Sequence, residues 1–486
     1  MLEAKGLTVR YGNRAKPAVS DVSFKLEPGE FVLLAGDSAS GKSTLMQTVC
    51  GFIPHIVPAH VTGTVEIEGN RLDDPISIAR VVSMVQQDPE TQFCTDTVEE
   101  EVAFGLENFK YDLNRMKERI DDSLRSVDAL HIKDRELSTL SGGEQQKVAI
   151  ASMLALAPKI LILDEPTSSL DPRSVEEVIA AVKAMRNRGP ITTVVVEHRL
   201  GGFLDIASRI MVMENGRLVS DDQRGSPGFD RISEVTRSPL DLPRLTRRNR
   251  IVLSAQGLCY QIGGKKILDG VSFAIEEGSV VALMGENGAG KTTLLRLFMG
   301  LIRPSAGTIQ VFDHAMGDGE WTEPWALAKD IGLVFQNPDH QIFESSIEKE
   351  IQFASANFGV SLDTANHAIR SFEDVERVRR EVHPRCLSIG QKRRVNILSS
   401  SSHEPRLLLL DEPLIGQDRT NTVKIADLLA GLQKKGMTIV IVTHDPDFAR
   451  AFCTDALLLR AGKLVAIGEP SEVIRGQDSS LFRRCD

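Results

Sequence analysis

The chain has 486 residues, 42% of them hydrophobic, which is enough for about two to four soluble domains, and it carries a formal net charge of −10. That charge gives no global attraction to nucleic acid, and no apolar run approaches the roughly 18 residues of a membrane-crossing helix. Six cysteines (Cys50, Cys94, Cys259, Cys386, Cys453 and Cys485) lie scattered without C-x-x-C spacing, which argues against zinc, iron–sulfur clusters or a disulfide framework and for a reducing cytoplasm.

The first residues, MLEAKGLTVRYGN, have no charged-then-apolar export pattern, so secretion is not expected. A strand-sized apolar run from Phe31 to Ala35 then feeds GDSASGKST, Gly36 to Thr44, which fits G-x-x-x-x-G-K-[ST]. In such a loop the backbone N–H groups and the positive helix end cradle phosphate oxygens. Gly36, Ser38, Ser40, Gly41 and Thr44 line it, Lys42 reaches the outer phosphates, and Ser43 can ligate Mg²⁺. Gln87 follows in VQQDPETQF, and apolar residues at Val98, Val102, Leu106 and Phe109 predict a helix that covers its own core or docks a partner.

LSGGEQQ begins at Leu140 and contains Ser141 and Gly143. The run ILILDEP delivers Asp164 to a Mg²⁺ shell and Glu165 beside the outer phosphate, where a carboxylate can orient an attacking water. A helix from Ser174 to Arg188 and a strand from Thr192 to Val196 lead to His198, placed to contact a γ-phosphate. Residues 223–250, rich in Pro, Gly, Ser, Asp and Arg, read as a linker between domains 1–222 and 251–486.

The second domain repeats the first. Val280 to Met284 feeds GENGAGKTT, Gly285 to Thr293, 249 positions after the first loop, with Gly285, Asn287, Gly288, Gly290, Lys291, Thr292 and Thr293 in the matching roles. Tyr11 and Tyr260 each stand 31 residues before their loop lysine. Gln336 lies 249 after Gln87, Ser388 and Gly390 lie 247 after Ser141 and Gly143, and Asp411 and Glu412 lie 247 after Asp164 and Glu165. His444 lies 246 after His198, and a second helical pattern runs through Ile347, Ile351, Ala354 and Phe358. Alternating strands and helices in each half predict a mostly parallel sheet flanked by helices.

Taken in order, loop, glutamine, LSGGEQQ, LDEPTSSLD and histidine resemble the ABC transporter ATPases, in tandem. The resemblance implies an α/β fold of two P-loop ATPase domains, each with a helical subdomain, and hydrolysis of ATP with Mg²⁺. It implies that Ser43, Gln87 and Asp164, or Thr292, Gln336 and Asp411, serve the metal. It further implies head-to-tail pairing, each ATP lying between one half's loop and the other half's Ser141–Gly143 or Ser388–Gly390. The adenine would stack on Tyr11 or Tyr260; simple strand packing is the plainer reading of either tyrosine.

QDPETQF, QNPDHQIF and VVEHR resemble the ATPases of energy-coupling-factor importers, which take up vitamins and transition-metal ions. This implies a transmembrane coupling protein and a substrate-binding membrane subunit as partners, a peripheral position on the cytoplasmic face of the membrane, and no nucleic acid. Two alternatives stay open: the tandem ATPase of a sugar importer, and an ABC protein acting on ribosomes or DNA. The latter typically carries a long charged arm or cysteine-rich inserts, neither of which is visible here.

The second half departs from the pattern at Ile389, Leu414 and Gln417, where the family has Gly, Thr and Leu. If position 389 needs a positive φ, a β-branched residue disturbs the backbone's aim at phosphate and makes the first site the slower one. Both glutamates persist, so two equal sites are the competing expectation.

Overall fold

The computed structural model describes residues 2–12, 16–71, 74–168, 170–189, 191–198, 200–237, 240, 242–243, 245, 250–317 and 320–478. The chain divides into two compact units, Met1–Ser238 and Pro239–Asp486.

In the first unit a six-stranded sheet runs in the order Arg217–Gln223, Arg209–Glu214, Phe31–Ala35, Thr192–Val196, Ile160–Asp164, Val82–Val85. All neighbours pair in parallel except the edge strand Arg217–Gln223. Phe31–Ala35, Ile160–Asp164 and Thr192–Val196 are buried along their whole length. Strands covered on both faces have no wet side, which is why they read as unbroken apolar runs. The glycine loop, Glu165 and His198 all leave the carboxyl ends of these three adjacent strands, where open α/β sheets hold their ligands.

The second unit repeats this order with Lys463–Gly468, Asp455–Arg460, Val280–Gly285, Thr438–Val442, Leu407–Asp411 and Ile331–Val334. Each unit also has a four-stranded antiparallel sheet that the pattern reading did not foresee: Val19–Leu26, Leu2–Arg10, His60–Ile67 and Asn70–Arg71 in the first, Lys265–Glu276, Ile251–Ile262, Ala306–Val311 and His314–Gly317 in the second. Register shifts between Ala4 and Leu7 and between Ala255 and Leu258 interrupt the strict alternation of these strands. A bulge of this kind blurs the period of two on which a strand is recognised.

The predicted helices form at Val98–Asn108 and Ile347–Phe358. Val98, Val102 and Leu106 are fully buried with Met116, Ile120 and Leu124, and Ile347 and Ile351 pack with Ile369, Phe372, Val395 and Leu398. Burial of each such side chain stabilises its unit by roughly 1.5–3 kcal/mol. Thr97 and Ser346 cap the two helices through their hydroxyls. On each, one buried carboxylate reaches back to the glutamine-bearing segment: Glu101 accepts from the N–H groups of Cys94 and Thr95, and Glu350 from those of Phe343 and Glu344.

Within the stretch expected as a linker, Pro227–Arg237 is a helix. Proline and glycine at its start do not break it, because Pro at the first helical position gives up an N–H that would be unpaired anyway. Ser226 Oγ accepts the Phe229 N–H at 3.2 Å, and Phe229 is buried in the first unit's core beneath the Arg224 guanidinium. Further on, Leu240, Leu242 and Leu245 pack against the core of the second unit.

Candidate active site

The two glycine loops are built alike. Gly36 and Gly285 have φ of 143° and 147°, and a Cβ there would lie 2.2 Å from the Met213 carbonyl oxygen or 2.3 Å from that of Leu459. Gly41 and Gly290, with φ of 102° and 100°, cap the helices Lys42–Val49 and Lys291–Phe298. Only glycine combines such dihedrals with so close a backbone approach. Lys42 Nζ donates to the Gly36 and Asp37 carbonyls at 2.8 and 2.9 Å, and Lys291 Nζ to those of Gly285 and Glu286 at the same distances. Each ammonium thus curls over its own loop. Ser40 is buried within hydrogen-bond range of Lys42, Ser38 is half-buried, and Asn287 and Gly288 are exposed at the crest of the second loop.

Ser43 Oγ donates to Asp164 Oδ1 at 3.1 Å, and Thr292 Oγ1 to Asp411 Oδ2 at 3.0 Å. Burial pushes the Asp164 carboxyl up to about 6 and raises that of Asp411; the hydroxyl bonds oppose both shifts. Asp411 Oδ1 is buried without a hydrogen-bond partner. A hydroxyl and a carboxylate with a spare oxygen are hard donors of the kind Mg²⁺ takes alongside substrate phosphates. Among the described residues no group of three or more His, Cys, Asp or Glu side chains forms a metal cage. The donor set therefore fits a cation shared with a nucleotide.

Glu165 and Glu412 both sit in the left-handed region, with φ of 47° and 49°. Such a conformation costs a non-glycine residue about 1–3 kcal/mol and persists where the surroundings over-determine it. Here the Glu165 N–H donates to the Val196 carbonyl at 2.9 Å and the Glu412 N–H to that of Val442 at 3.1 Å. Each glutamate meets its histidine: His198 Nε2 lies 2.7 Å from Glu165 Oε1, and His444 Nε2 lies 3.0 Å from Glu412 Oε1. His198 Nδ1 also lies 3.0 Å from the Gly36 carbonyl oxygen, so the imidazole links the loop to the carboxylate. A carboxylate held this way, facing a phosphate loop, can orient a water for attack on the terminal phosphorus.

The glutamines differ. Gln87 Nε2 donates to Glu165 Oε2 at 3.0 Å, whereas Gln336 is exposed and no hydrogen bond joins it to Glu412. The tyrosines are half-buried against their cores; the Tyr11 hydroxyl meets Thr44 Oγ1 at 3.0 Å, which places its ring beside the first loop.

Ser141 and Ser388 are N-caps of the helices Gly142–Ala155 and Ile389–Ser401, each closed by a capping box with Glu144 or Gln391. This corrects the expectation for Ile389. The residue is the first of a helix and does not have a positive φ, its side chain is 55% exposed, and Gly142 opposite it in the repeat is helical as well. Gly143 and Gly390 leave little room for a side chain: a Cβ would come within 2.9 Å of the Ser174 side chain or 2.8 Å of the end of the Gln417 side chain. Of the two other departures, Leu414 is buried in the second unit's core and Gln417 is buried beside Gly390.

Two charged residues were not singled out from the pattern. Arg393, one helical turn into Ile389–Ser401, is buried, and its Nη1 donates to the Phe335 carbonyl at 2.8 Å, just before Gln336. Burial brings its pKa down to about 10, against the pull of Asp411 and Glu412. Glu197, beside His198, is buried as well, and burial pushes its carboxyl up. Both occupy positions where a charge ordinarily means surface.

Residues 19–168 and 268–415 match the sequence profile of the ABC transporter family. A Methanosarcina mazei protein provisionally described as an ABC transporter ATP-binding protein is 33% identical over 475 residues, 96% of this chain and 94% of its own length. A Bacillus subtilis protein provisionally named HMP/thiamine import ATP-binding protein YkoD is 30% identical over 520 residues, 100% of this chain and 94% of its own. Among solved structures, that of ribosome-bound archaeal Pelota and ABCE1 is similar over 98% of this chain and 80% of that one, with a TM-score of 0.68 at 19% identity, a likeness of fold alone. With two phosphate loops, two strained glutamates and two histidines in the order this family uses, the chain belongs to the ABC transporter family and is a tandem ATP-binding protein that hydrolyses ATP.

Proposed function

We propose that the chain is the motor of an importer of the energy-coupling-factor type, driving entry of a vitamin, vitamin precursor or transition-metal ion through a separate membrane coupling protein. In this reading the two units clasp head to tail. One site combines Lys42, Gln87, Asp164, Glu165 and His198 with Ser388 and Gly390; the other combines Lys291, Gln336, Asp411, Glu412 and His444 with Ser141 and Gly143. Mg²⁺ would be held by Ser43 and Asp164, with Gln87, and by Thr292 and Asp411, with Gln336; it offsets phosphate charge during hydrolysis. Closure around ATP would move the docked membrane subunit. The chain would then lie on the cytoplasmic face of the membrane.

The observation that carries the membrane reading is an aromatic face on the second unit. Phe343 and Phe353 are 60% and 41% exposed and meet edge to face with ring centroids 4.6 Å apart, and Phe335, next to Gln336 in the chain, is exposed as well. Paired exposed rings on the segment that adjoins the active site suit an apolar helix of a partner. Among the described residues no helix is long and apolar enough to cross a membrane; in this reading the transport path belongs to other subunits. The provisional name of the Bacillus subtilis relative, an import ATP-binding protein, supports the direction.

Purification from detergent-solubilised membranes tests this. The unaltered chain is expected to bring down a multi-span protein, and the double change Phe343→Ser, Phe353→Ser to release it while ATP hydrolysis by the isolated chain persists. Co-sedimentation with ribosomes and no membrane companion would refute it.

A further inference from the structure

The halves differ at positions 167 and 197, beside the glutamate and histidine. In the first half Glu197 precedes His198, and its carboxylate is buried. One oxygen accepts from the Thr167 N–H at 3.1 Å and from the Thr167 hydroxyl; the other accepts from the His198 N–H at 3.0 Å. Thr167 lies two residues past Glu165. A single carboxylate therefore ties the backbone after the water-orienting glutamate to the backbone of the histidine that meets it.

In the second half Thr443 and Leu414 occupy these positions. Leu414 packs in the apolar core, and the Thr443 hydroxyl accepts instead from the Asp445 N–H at 3.1 Å. The surrounding backbone is the same: the Glu197 N–H donates to the Leu34 carbonyl at 3.3 Å, as the Thr443 N–H donates to that of Leu283 at 3.2 Å. The strand end thus tolerates a small hydroxyl, and nothing in the fold demands a carboxylate there. Burying one is unfavourable unless donors meet it. Glutamate goes with threonine in one half, and threonine with leucine in the other. The contacts of the histidine differ in step: 2.7 Å to glutamate plus a contact to Gly36 in the first half, 3.0 Å to glutamate in the second.

We propose that Glu197 is a positioning residue for ATP hydrolysis in the first half, fixing His198 and, through Thr167, the segment that carries Glu165. It acts through those two neighbours. In the second half, core packing of Leu414 holds the corresponding segment. The proposal rests on hydrolysis by the first half and is independent of transport.

The test uses the full chain with Glu412→Gln, so that turnover reports the first half, and compares Thr167→Leu, Glu197→Thr and the two together. Either single exchange strands a partner, and misplacing a catalytic group by about 1 Å lowers kcat by about 10²-fold. That fall is expected in Thr167→Leu with KM for ATP little changed. The double exchange, which installs the second half's own pair, is expected to recover at least about tenfold of it, a coupling that additive effects would not give. Should Thr167→Leu not fold, the near-isosteric Glu197→Gln carries the same expectation of a lowered kcat at constant KM. Equal losses in the single and double exchanges, or kcat falling only as melting temperature falls, would overturn the positioning role alone. If the Glu412→Gln parent itself has no turnover, the first half does not hydrolyse ATP and the proposal fails on that ground.

Discussion

Asp164 sets stability against function, and the conflict is measurable. Burial is the largest cause that lifts its carboxyl from 3.8 to about 6; the Ser43 hydroxyl and Lys42 oppose the shift, and Glu165 and Glu197 add to it. A tenfold change in a protonation equilibrium is worth about 1.4 kcal/mol, so keeping this group ionised at neutral pH destabilises the first unit by about 3 kcal/mol relative to the unfolded chain. A carboxyl raised on folding holds its proton more tightly when folded. The penalty is therefore absent below about pH 4, grows as pH rises and is complete above the folded value. Asp164→Asn has the same shape, keeps an oxygen for the Ser43 hydroxyl and removes the charge. For a unit of this size 1 kcal/mol moves Tm by about 2–4 °C, which gives an expected rise of about 6–12 °C at pH 7.5 without nucleotide. Thermal unfolding of the full chain between pH 4 and 7.5 is the assay. The gap is expected to close toward pH 4, and Mg²⁺-ATP is expected to stabilise the first unit of the variant much less than that of the parent. A variant less stable than the parent at pH 7.5, or a gap independent of pH, would refute the reasoning.

Lys42→Ala and Lys291→Ala, made separately, are each expected to weaken ATP binding in one half by about 10- to 100-fold, seen as a fall from two bound nucleotides to one in equilibrium dialysis. Gly41→Ala forces a side chain into φ of 102° and to 2.4 Å from the Ala18 carbonyl oxygen, and is expected to lower stability by about 1–3 kcal/mol in denaturant unfolding. Because Ile389 opens a helix and points outward, Ile389→Gly is expected to change stability by less than about 1 kcal/mol, and turnover of the first site in the Glu412→Gln background by less than about threefold. A large gain in turnover would restore the idea that the side chain itself hinders that site.

What was legible in the chain was what burial and geometry write in residue order. Strands covered on both faces announce themselves as runs such as Ile160–Asp164, and a loop that approaches Met213 or Leu459 too closely for a Cβ must spell out its glycines. Ile389 was misread because a sequence pattern gives no dihedral angle: the glycine it replaces is helical and was not there for a positive φ. Pro227 and Gly228 lie in the stretch whose composition reads as a linker, though they begin a helix that Phe229 anchors. Arg393, flanked by Lys392 and Arg394, and Glu197, at the end of a strand, escape a pattern reading because a charged side chain ordinarily looks solvated on paper. Their burial comes from elements distant in the chain, the Phe335 carbonyl for one and Thr167 for the other. The bulged antiparallel sheets were lost to register shifts that no periodicity count follows.

The placement of Phe229 bears on any attempt to produce the halves as separate polypeptides. A gene cut after residue 222, where composition invites it, would clip the last residue of the edge strand Arg217–Gln223, strip an aromatic plug from the first unit and leave its socket wet, at about 3–5 kcal/mol for a phenylalanine-sized loss. Extending the fragment through Arg237 keeps the plug, and with it a form of that half better suited to measuring its chemistry in isolation.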